Sequence, residues 1–351
     1  MGLKILHSAD WHMDTAFASF SEEQRRFLRQ KQLELPGKIA ELCRRENCDL
    51  LLLAGDIFDG IPGRDCVEAV KAALAECTVP VFVTPGNHDF CGLGSPWAEE
   101  VWPENVHVFK GGMTSVALPE LDCRIYGAGY GSMDCPSLLT HFHAQGEETY
   151  RIAVLHGDPL NVRSPYNPVT AAQIRGSGLQ YLALGHIHKA GSSYQGDTLC
   201  GWPGCPMGRG WDETGEKGVY LVTVEDTARV QFLPLDLPAF RDLEADVSED
   251  PASAVAALLP AAQSNDFYRI TLTGAAEVDA EELQQQFSRI SNLILRDRTE
   301  APADIWAEAG TDTLRGVYFQ MLQELAETNA HAGLAAEISH KILSGREVRL
   351  P

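Results

Sequence analysis

Five short polar segments, each directly behind an apolar run, constrain this chain more than any other feature of its sequence. They are Asp10-Trp11-His12, Gly55-Asp56-Ile57-Phe58-Asp59, Gly86-Asn87-His88-Asp89, His156-Gly157-Asp158 and Gly185-His186-Ile187-His188. The runs before them are Lys4-Ile5-Leu6, Leu50-Leu51-Leu52-Leu53-Ala54, Val79-Pro80-Val81-Phe82-Val83-Thr84, Arg151-Ile152-Ala153-Val154-Leu155 and Tyr181-Leu182-Ala183-Leu184. Continuous apolar runs of this length fit strands buried on both faces, as in parallel sheets. Groups at the carboxyl ends of neighbouring strands converge in one crevice, which is where open α/β sheets bind ligands. What arrives there is carboxylate, imidazole and one amide, with no thiol. Such a set suits two hard-to-borderline divalent cations rather than a structural zinc. Two cations about 3.5–4 Å apart clamp a phosphate ester for in-line attack.

The rest of the chain supports an α/β reading. Strands and helices alternate through about residue 110, which predicts right-handed crossovers and a parallel sheet. Ser21-Glu22-Glu23 reads as a helix N-cap, with the helix running toward Asn47 and interrupted at Pro36-Gly37. A second helix is predicted over 64–77. Beyond Gly111-Gly112 the pattern turns β-rich, with strands expected over 115–118, 123–126, 150–155 and 181–184. A closing hairpin is expected over 218–224 and 228–232. The architecture inferred is two sheets face to face, flanked by helices, over residues 1–235. Residues 236–303 read as a smaller α+β capping domain and 304–351 as a helical C-terminal segment. In that last segment Val317, Met321, Leu322 and Leu325 form an apolar face that needs a cover.

Composition narrows the setting. The 351 residues carry a formal net charge of −21, whereas proteins that bind DNA unaided usually present a basic face. The longest apolar stretches are far too short to span a bilayer. The first residues lack the apolar core and cleavage site of a signal peptide. Nine cysteines without paired spacing fit reduced thiols, so the cytoplasm is the expected compartment and no membrane contact is expected.

The ordered set D-x-H, G-D-x-x-D, G-N-H-[DE], H and G-H-x-H resembles the signature of the calcineurin-like metallophosphoesterases over about the first 235 residues. Several longer stretches are similar to the branch of SbcD-type DNA repair exonucleases. They include Ser8-Ala9-Asp10-Trp11-His12-Met13-Asp14, Thr84-Pro85-Gly86-Asn87-His88-Asp89, Gly201-Trp202-Pro203-Gly204 and Gly215-Glu216-Lys217-Gly218-Val219-Tyr220. His156-Gly157-Asp158 departs from longer nucleases of that group, which often carry glutamine after the histidine. The resemblance implies two divalent ions, Mn²⁺ first, with Fe²⁺ or Zn²⁺ as alternatives. Asp10, His12 and His188 would hold one ion, Asp56 would bridge both, and Asn87, His156 and His186 would complete the other. A water activated between the ions would attack phosphorus, and His88 would protonate the leaving group or stabilise the developing charge. The implied partners are DNA as substrate, an SbcC-like coiled-coil ATPase, and a second copy of the chain.

Other residues receive plainer readings. His7, His107, His141, His143, His331 and His340 read as packing residues, and Cys91 and Cys135 as free thiols. Asp59, Asp89 and Asp158 read as partners behind the ligands or as turn residues. Arg163, Tyr166, Lys189 and Arg209 are the expected substrate contacts, since cations interleaved with rings suit nucleic acid. The favoured function is a two-metal DNA exo- or endonuclease component acting in repair. The alternatives are a phosphodiesterase or phosphatase for a small molecule or nucleotide, which the acidity favours, and a degenerate scaffold.

Overall fold

The apolar runs become strands that are covered on both faces, but they are shared between two sheets. In the computed structural model β1 (Leu3–Ser8), α1 (Glu22–Arg45), β2 (Leu50–Ala54), α2 (Arg64–Ala75), β3 (Val81–Thr84), α3 (Pro96–Glu99) and β4 (Val106–Val108) follow in order. β1 to β4 pair in parallel, with Leu6 opposite Leu51, Leu53 opposite Val83 and Val83 opposite Val108. Next come β5 (Thr114–Leu118), β6 (Cys123–Gly127), β7 (Tyr150–His156), α4 (Ala171–Gly176), β8 (Tyr181–Gly185), β9 (Gly191–Gln195) and β10 (Thr198–Trp202). They form a six-stranded sheet in the order β5-β6-β7-β8-β10-β9. The hairpin β11 (Gly218–Val224) and β12 (Ala228–Pro234) returns to the first sheet, giving β12-β11-β1-β2-β3-β4.

Strand alternation explains the continuous apolar runs. Ile5, Leu50, Leu52 and Phe82 point toward the second sheet and join Ile125, Ile152, Val154 and Tyr181 in one core. Their neighbours Leu6, Leu51, Leu53 and Val83 point the other way, onto Leu35 and Ile39 of α1 and Val67, Val70 and Leu74 of α2. Leu155, Leu182 and Leu184 pack beneath Ile174 of α4. A strand covered on both faces has no polar side, so period-two alternation vanishes from its sequence.

The expected break at Pro36-Gly37 does not occur, because α1 runs through both residues. An internal proline costs a helix about 3 kcal/mol through its missing N–H and its clash with the preceding turn. Leu28, Leu35 and Ile39 are fully buried on the same helix, and each such side chain returns roughly 1.5–3 kcal/mol. Packing therefore outweighs propensity. A capping box at Ser21, with Gln24 reaching back to the Ser21 N–H, fixes the helix start as the sequence predicted.

The structure describes residues 2–300 and 304–344. They fall into two compact units, one reaching Asp242 and including Ser264–Tyr268, the other made of Leu243–Gln263 and the chain from Arg269 onward. The division runs through β13 (Phe240–Asp246) and β14 (Phe267–Thr273). Between and after them lie α5 (Pro251–Leu258), α6 (Ala280–Gln286) and β15 (Leu293–Asp297), and the strands order as β13-β14-β15. The continuous helical segment expected from residue 304 begins only with α7 (Leu314–Ala326), followed by α8 (Ala330–Leu343). Gly310, at φ +79°, turns the chain before it, and the Thr313 side chain caps α7 through the Gly316 N–H. Among the described residues no helix is long and apolar enough to cross a membrane.

Candidate metal centre

The polar segments sit where β1, β2, β3, β7 and β8 end, so both sheets deliver side chains to one place. After β1 and β2 the two loops keep running side by side. Asp10 N donates to Gly55 O at 3.0 Å, His12 N to Asp56 O at 2.9 Å and Met13 N to Ile57 O at 2.8 Å. Within this ladder Asp10, His12 and Asp56 adopt φ of 54°, 46° and 51°. Left-handed backbone is unfavourable for residues with a Cβ and persists only where the surroundings impose it. It bends the chain out of strand geometry beyond β1, so that Asp10 and His12 turn together into the crevice that Asp56 enters from the neighbouring loop. Two glycines allow the close approach. A Cβ on Gly86 would collide with Asp56 Oδ1, and one on Gly55, at φ +85°, would collide with the His156 ring.

Two groups of donors meet around Asp56. In the first, His12 Nε2 and His188 Nε2 are 3.2 Å apart, and His12 Nε2 is 3.7 Å from Asp56 Oδ2. Ligand atoms of Asp10, His12 and His188 lie within 4.8 Å of one another, as do those of Asp10, Asp56 and His156 and of His12, Asp56 and His88. In the second, Asn87 Oδ1 lies 3.0 Å from His156 Nε2 and 3.3 Å from His186 Nδ1, and Asp56 Oδ2 lies 3.4 Å from His156 Nε2. Donors bound to one cation at about 2.0–2.2 Å are themselves about 3–3.5 Å apart in tetrahedral or octahedral geometry. The spacing and the oxygen and imidazole chemistry fit two divalent cations sharing Asp56.

Charge in the centre is set by neighbours. Burial opposes the Asp56 anion, but His156, His12 and His88 hold its carboxyl well below the usual carboxylate range. Burial likewise opposes charge on His156, yet Asp56 and Asp10 push its imidazole up to about 9. Both shifts reflect the mutual attraction of buried carboxylates and imidazoles. Asp59 Oδ1 stands 3.1 Å from His88 Nδ1 and 3.5 Å from His12 Nδ1. Its contact with His88 raises that imidazole above its ordinary value.

Asp89 is a structural anchor. Its carboxylate accepts N–H bonds from Asp56 (3.2 Å), Ile57 (2.9 Å), Phe58 (3.3 Å) and Gly86 (2.7 Å), and from Trp97 Nε1 (2.8 Å). It therefore ties the loop after β2 to the loop after β3. Asp158 turns its own loop by accepting from Leu160 N and Asn161 N, and it reaches His186 Nε2 only at 4.0 Å.

Three supporting residues escaped the sequence reading. Gln32 of α1 is buried and donates to His12 O at 2.7 Å while accepting from Asp14 N. Asn167 donates to His156 O at 2.8 Å. Glu213 Oε1 meets His188 Nδ1 at 2.7 Å. Each is a lone polar residue outside any motif, so spacing carried no signal for it. Among the expected substrate contacts, Tyr166 lies beside the centre, its ring 5.0 Å from that of His186. Lys189 is exposed and lines an open pocket of about 820 Å³ with His186, His188 and Lys217. Arg163 is exposed on the turn after Asn161. The Arg209 guanidinium is already engaged, with Nη2 2.6 Å from Glu213 Oε1.

The family profile "Calcineurin-like phosphoesterase" matches residues 3–190. An "Uncharacterized metallophosphoesterase YhaO" of Bacillus subtilis (strain 168) is 32% identical over 241 residues, covering 63% of this chain and 57% of that protein. The SbcD component of the SbcCD nuclease of Staphylococcus saprophyticus is 28% identical over 106 residues, 28% of this chain and 27% of its own length. Its counterpart from Rhodobacter capsulatus is 35% identical over 95 residues, 25% of this chain and 22% of its own. The chain thus spans little more than half of the first relative and about a quarter of the other two.

Proposed function

The chain belongs to the calcineurin-like phosphoesterase family, a fold that binds two divalent metals and hydrolyses phosphoesters, and on that premise we propose that it is a phosphodiesterase cleaving DNA, as the nuclease component of a repair assembly. The observation that carries the reading is the convergence of two donor groups on Asp56, with His88 beside them. Asp10, His12, Asp56 and His188 would hold one cation and Asp56, Asn87, His156 and His186 the other, Mn²⁺ being the ion proposed. When bound, such cations neutralise phosphate charge and lower the pKa of water toward neutrality. His88 supplies the proton. With Nδ1 against Asp59, its other nitrogen is free to face a departing oxygen, and Asp59 keeps the ring protonated nearer neutral pH.

The partial similarity to two nuclease components supports DNA as the substrate. Lys189, Arg163 and Tyr166 would then follow the strand, whereas Arg209 is committed to Glu213. At a net charge of −21 the chain needs basic surface from elsewhere, which an SbcC-like coiled-coil ATPase would provide. The α7–α8 pair, with Val317, Met321 and Leu325 exposed, is the docking site proposed for it. The same negative charge favours a second reading, a diesterase for a small molecule or nucleotide. One experiment separates the two: Mn²⁺-loaded protein is assayed on bis-p-nitrophenyl phosphate, nucleotides, and single- and double-stranded DNA ends. Cleavage of DNA at rates competitive with the small diester is expected. Turnover confined to the small substrates would favour the second reading.

A further inference from the structure

Histidine ligands are oriented by whatever holds their second nitrogen, and the histidines here are held unequally. His156 Nδ1 meets a neutral acceptor, the Ala54 carbonyl, at 2.9 Å. His186 Nε2 is 4.0 Å from Asp158, too far for a hydrogen bond. His188 Nδ1 meets the Glu213 carboxylate at 2.7 Å, and that side chain is only 5% exposed.

Glu213 is itself held firmly. Oε1 receives Arg209 Nη2 at 2.6 Å and Nε at 3.1 Å, while Oε2 receives the Arg209 main-chain N–H at 2.8 Å and lies 3.7 Å from Cys205 Sγ. Bidentate, charge-assisted contacts of this kind fix geometry as well as charge. Arg209 Nη2 also stands 3.0 Å from His188 Nδ1, so both donors share Glu213 Oε1. A neutral imidazole has one proton. If Nε2 faces a cation, the proton is on Nδ1, where Glu213 accepts it.

We propose that Glu213, clamped by Arg209, is a positioning residue that sets the affinity of one cation site, the one formed by Asp10, His12, Asp56 and His188, and leaves the other untouched. The carboxylate fixes the ring and its tautomer and makes Nε2 the more basic donor. Among the described residues, His156 is backed by a neutral carbonyl and His186 by no hydrogen-bonded carboxylate, so the two sites differ in strength. Arg209 offsets the buried charge of Glu213 and prevents it from becoming a ligand itself. This inference rests on reading His188 as a ligand, but not on the identity of the substrate.

The test is Mn²⁺ binding to the full chain, by calorimetry and by electron paramagnetic resonance of free Mn²⁺. Glu213→Gln keeps the shape and removes the charge. One of two Mn²⁺ should weaken by about ten- to a hundredfold, the usual cost of losing the group that backs a ligand, with the other unchanged. In Co²⁺-loaded protein, one paramagnetically shifted imidazole N–H should exchange faster with water in the variant, a signature that general loosening would spread over all the rings. If the single variant leaves Arg209 unpaired and does not fold, Arg209→Met with Glu213→Gln removes both charges together, and the same one-site loss is expected. Wild-type affinity at both sites, or equal weakening of both, would overturn the proposal. His188→Ala still binding two Mn²⁺ would overturn the ligand reading and this inference with it.

Discussion

Two regions of the molecule invert the ordinary partition of polar and apolar groups, in opposite senses. At the strand tips Asp10, His12, Asp56 and His156 are buried and Asn87 nearly so; along α7 and α8 Leu314, Val317, Met321, Leu325, Ile342 and Leu343 stand in water. Burying charge is costly unless every charge meets a partner. The first region meets that demand by an internal frame of Asp59, Asp89, Gln32 and Glu213 and by its affinity for cations. Exposing several large apolar side chains together is also costly, at roughly 25 cal/mol per Å². Gly316 and Phe319 of α7 and Ala332 and Ala336 of α8 are buried, yet the side chains named above keep about half or more of their surface exposed. The difference teaches where to look for each kind of function: the first inversion fits the metal chemistry of the family, and the second is the face proposed above for docking a partner.

The sharpest way to break this contrast is to remove the shared carboxylate. Asp56→Ala should abolish phosphodiester hydrolysis and release at least one of two cations, because two positive ions would face each other without their common anion. Metal analysis of the dialysed variant checks it. Two-metal occupancy with residual turnover would mean that the buried carboxylate is there for packing.

A smaller effect separates chemistry from binding inside the centre. His88→Ala should retain both cations and lose about 10²–10⁴-fold in turnover, the range typical of a general acid. The loss should shrink for p-nitrophenyl diesters, whose leaving group departs without a proton. Comparing p-nitrophenyl with alkyl diesters checks it, and equal losses on the two would assign His88 to another task.

The second region is tested by charge. Val317→Glu with Met321→Glu places two anions on side chains already 50% and 65% exposed, so folding should be unaffected. Hydrolysis of small diesters should be unchanged, while binding to a coiled-coil ATPase partner should weaken by about tenfold or more, as for central interface positions. Binding measured at wild-type strength would move the docking site elsewhere.

What could be read in the sequence follows the same division. Asp10, His12, Asp56, Asn87, His88, His156, His186 and His188 were legible because strand ends must present particular donors, and their doubly buried strands left apolar runs. Glu213 was not legible, since it lies 25 residues beyond His188 in a glycine-rich loop and looks there like one more surface acid. Gln32 carries no signal of its own, being a single polar residue in a helix whose continuity Pro36 argues against. β13 leaves no clear strand pattern, its burial alternating weakly, and the helix expected from residue 304 starts later, at α7, because the alanine and acid residues before Gly310 share the helix's composition. Long-range pairing and local turns decided these cases, and neither leaves a periodic trace.

One buried polar residue belongs to neither side of the comparison and sharpens it. His7 lies on β1 between the sheets, fully buried, with Nδ1 2.7 Å from the Tyr181 hydroxyl and the rings at 77°. It serves no cation, so its neutrality must be maintained by the fold alone, and burial pushes its imidazole down to about 3. An unfolded histidine titrates near 6.5. With the folded value below the unfolded one, the unfolded chain takes the proton first. His7 therefore costs no stability above about pH 6.5, and stability is lost as pH falls from there toward 3. Between pH 7.5 and 5.5 this amounts to about 1.4 kcal/mol. Other titrating groups contribute as well, but they do so equally in His7→Gln, which keeps a polar group against Tyr181 and cannot charge. Urea unfolding of chelator-treated protein at the two pH values should show the wild type losing about 1.4 kcal/mol more than the variant. Identical losses would mean that burial of His7 contributes nothing to the acid sensitivity of the fold.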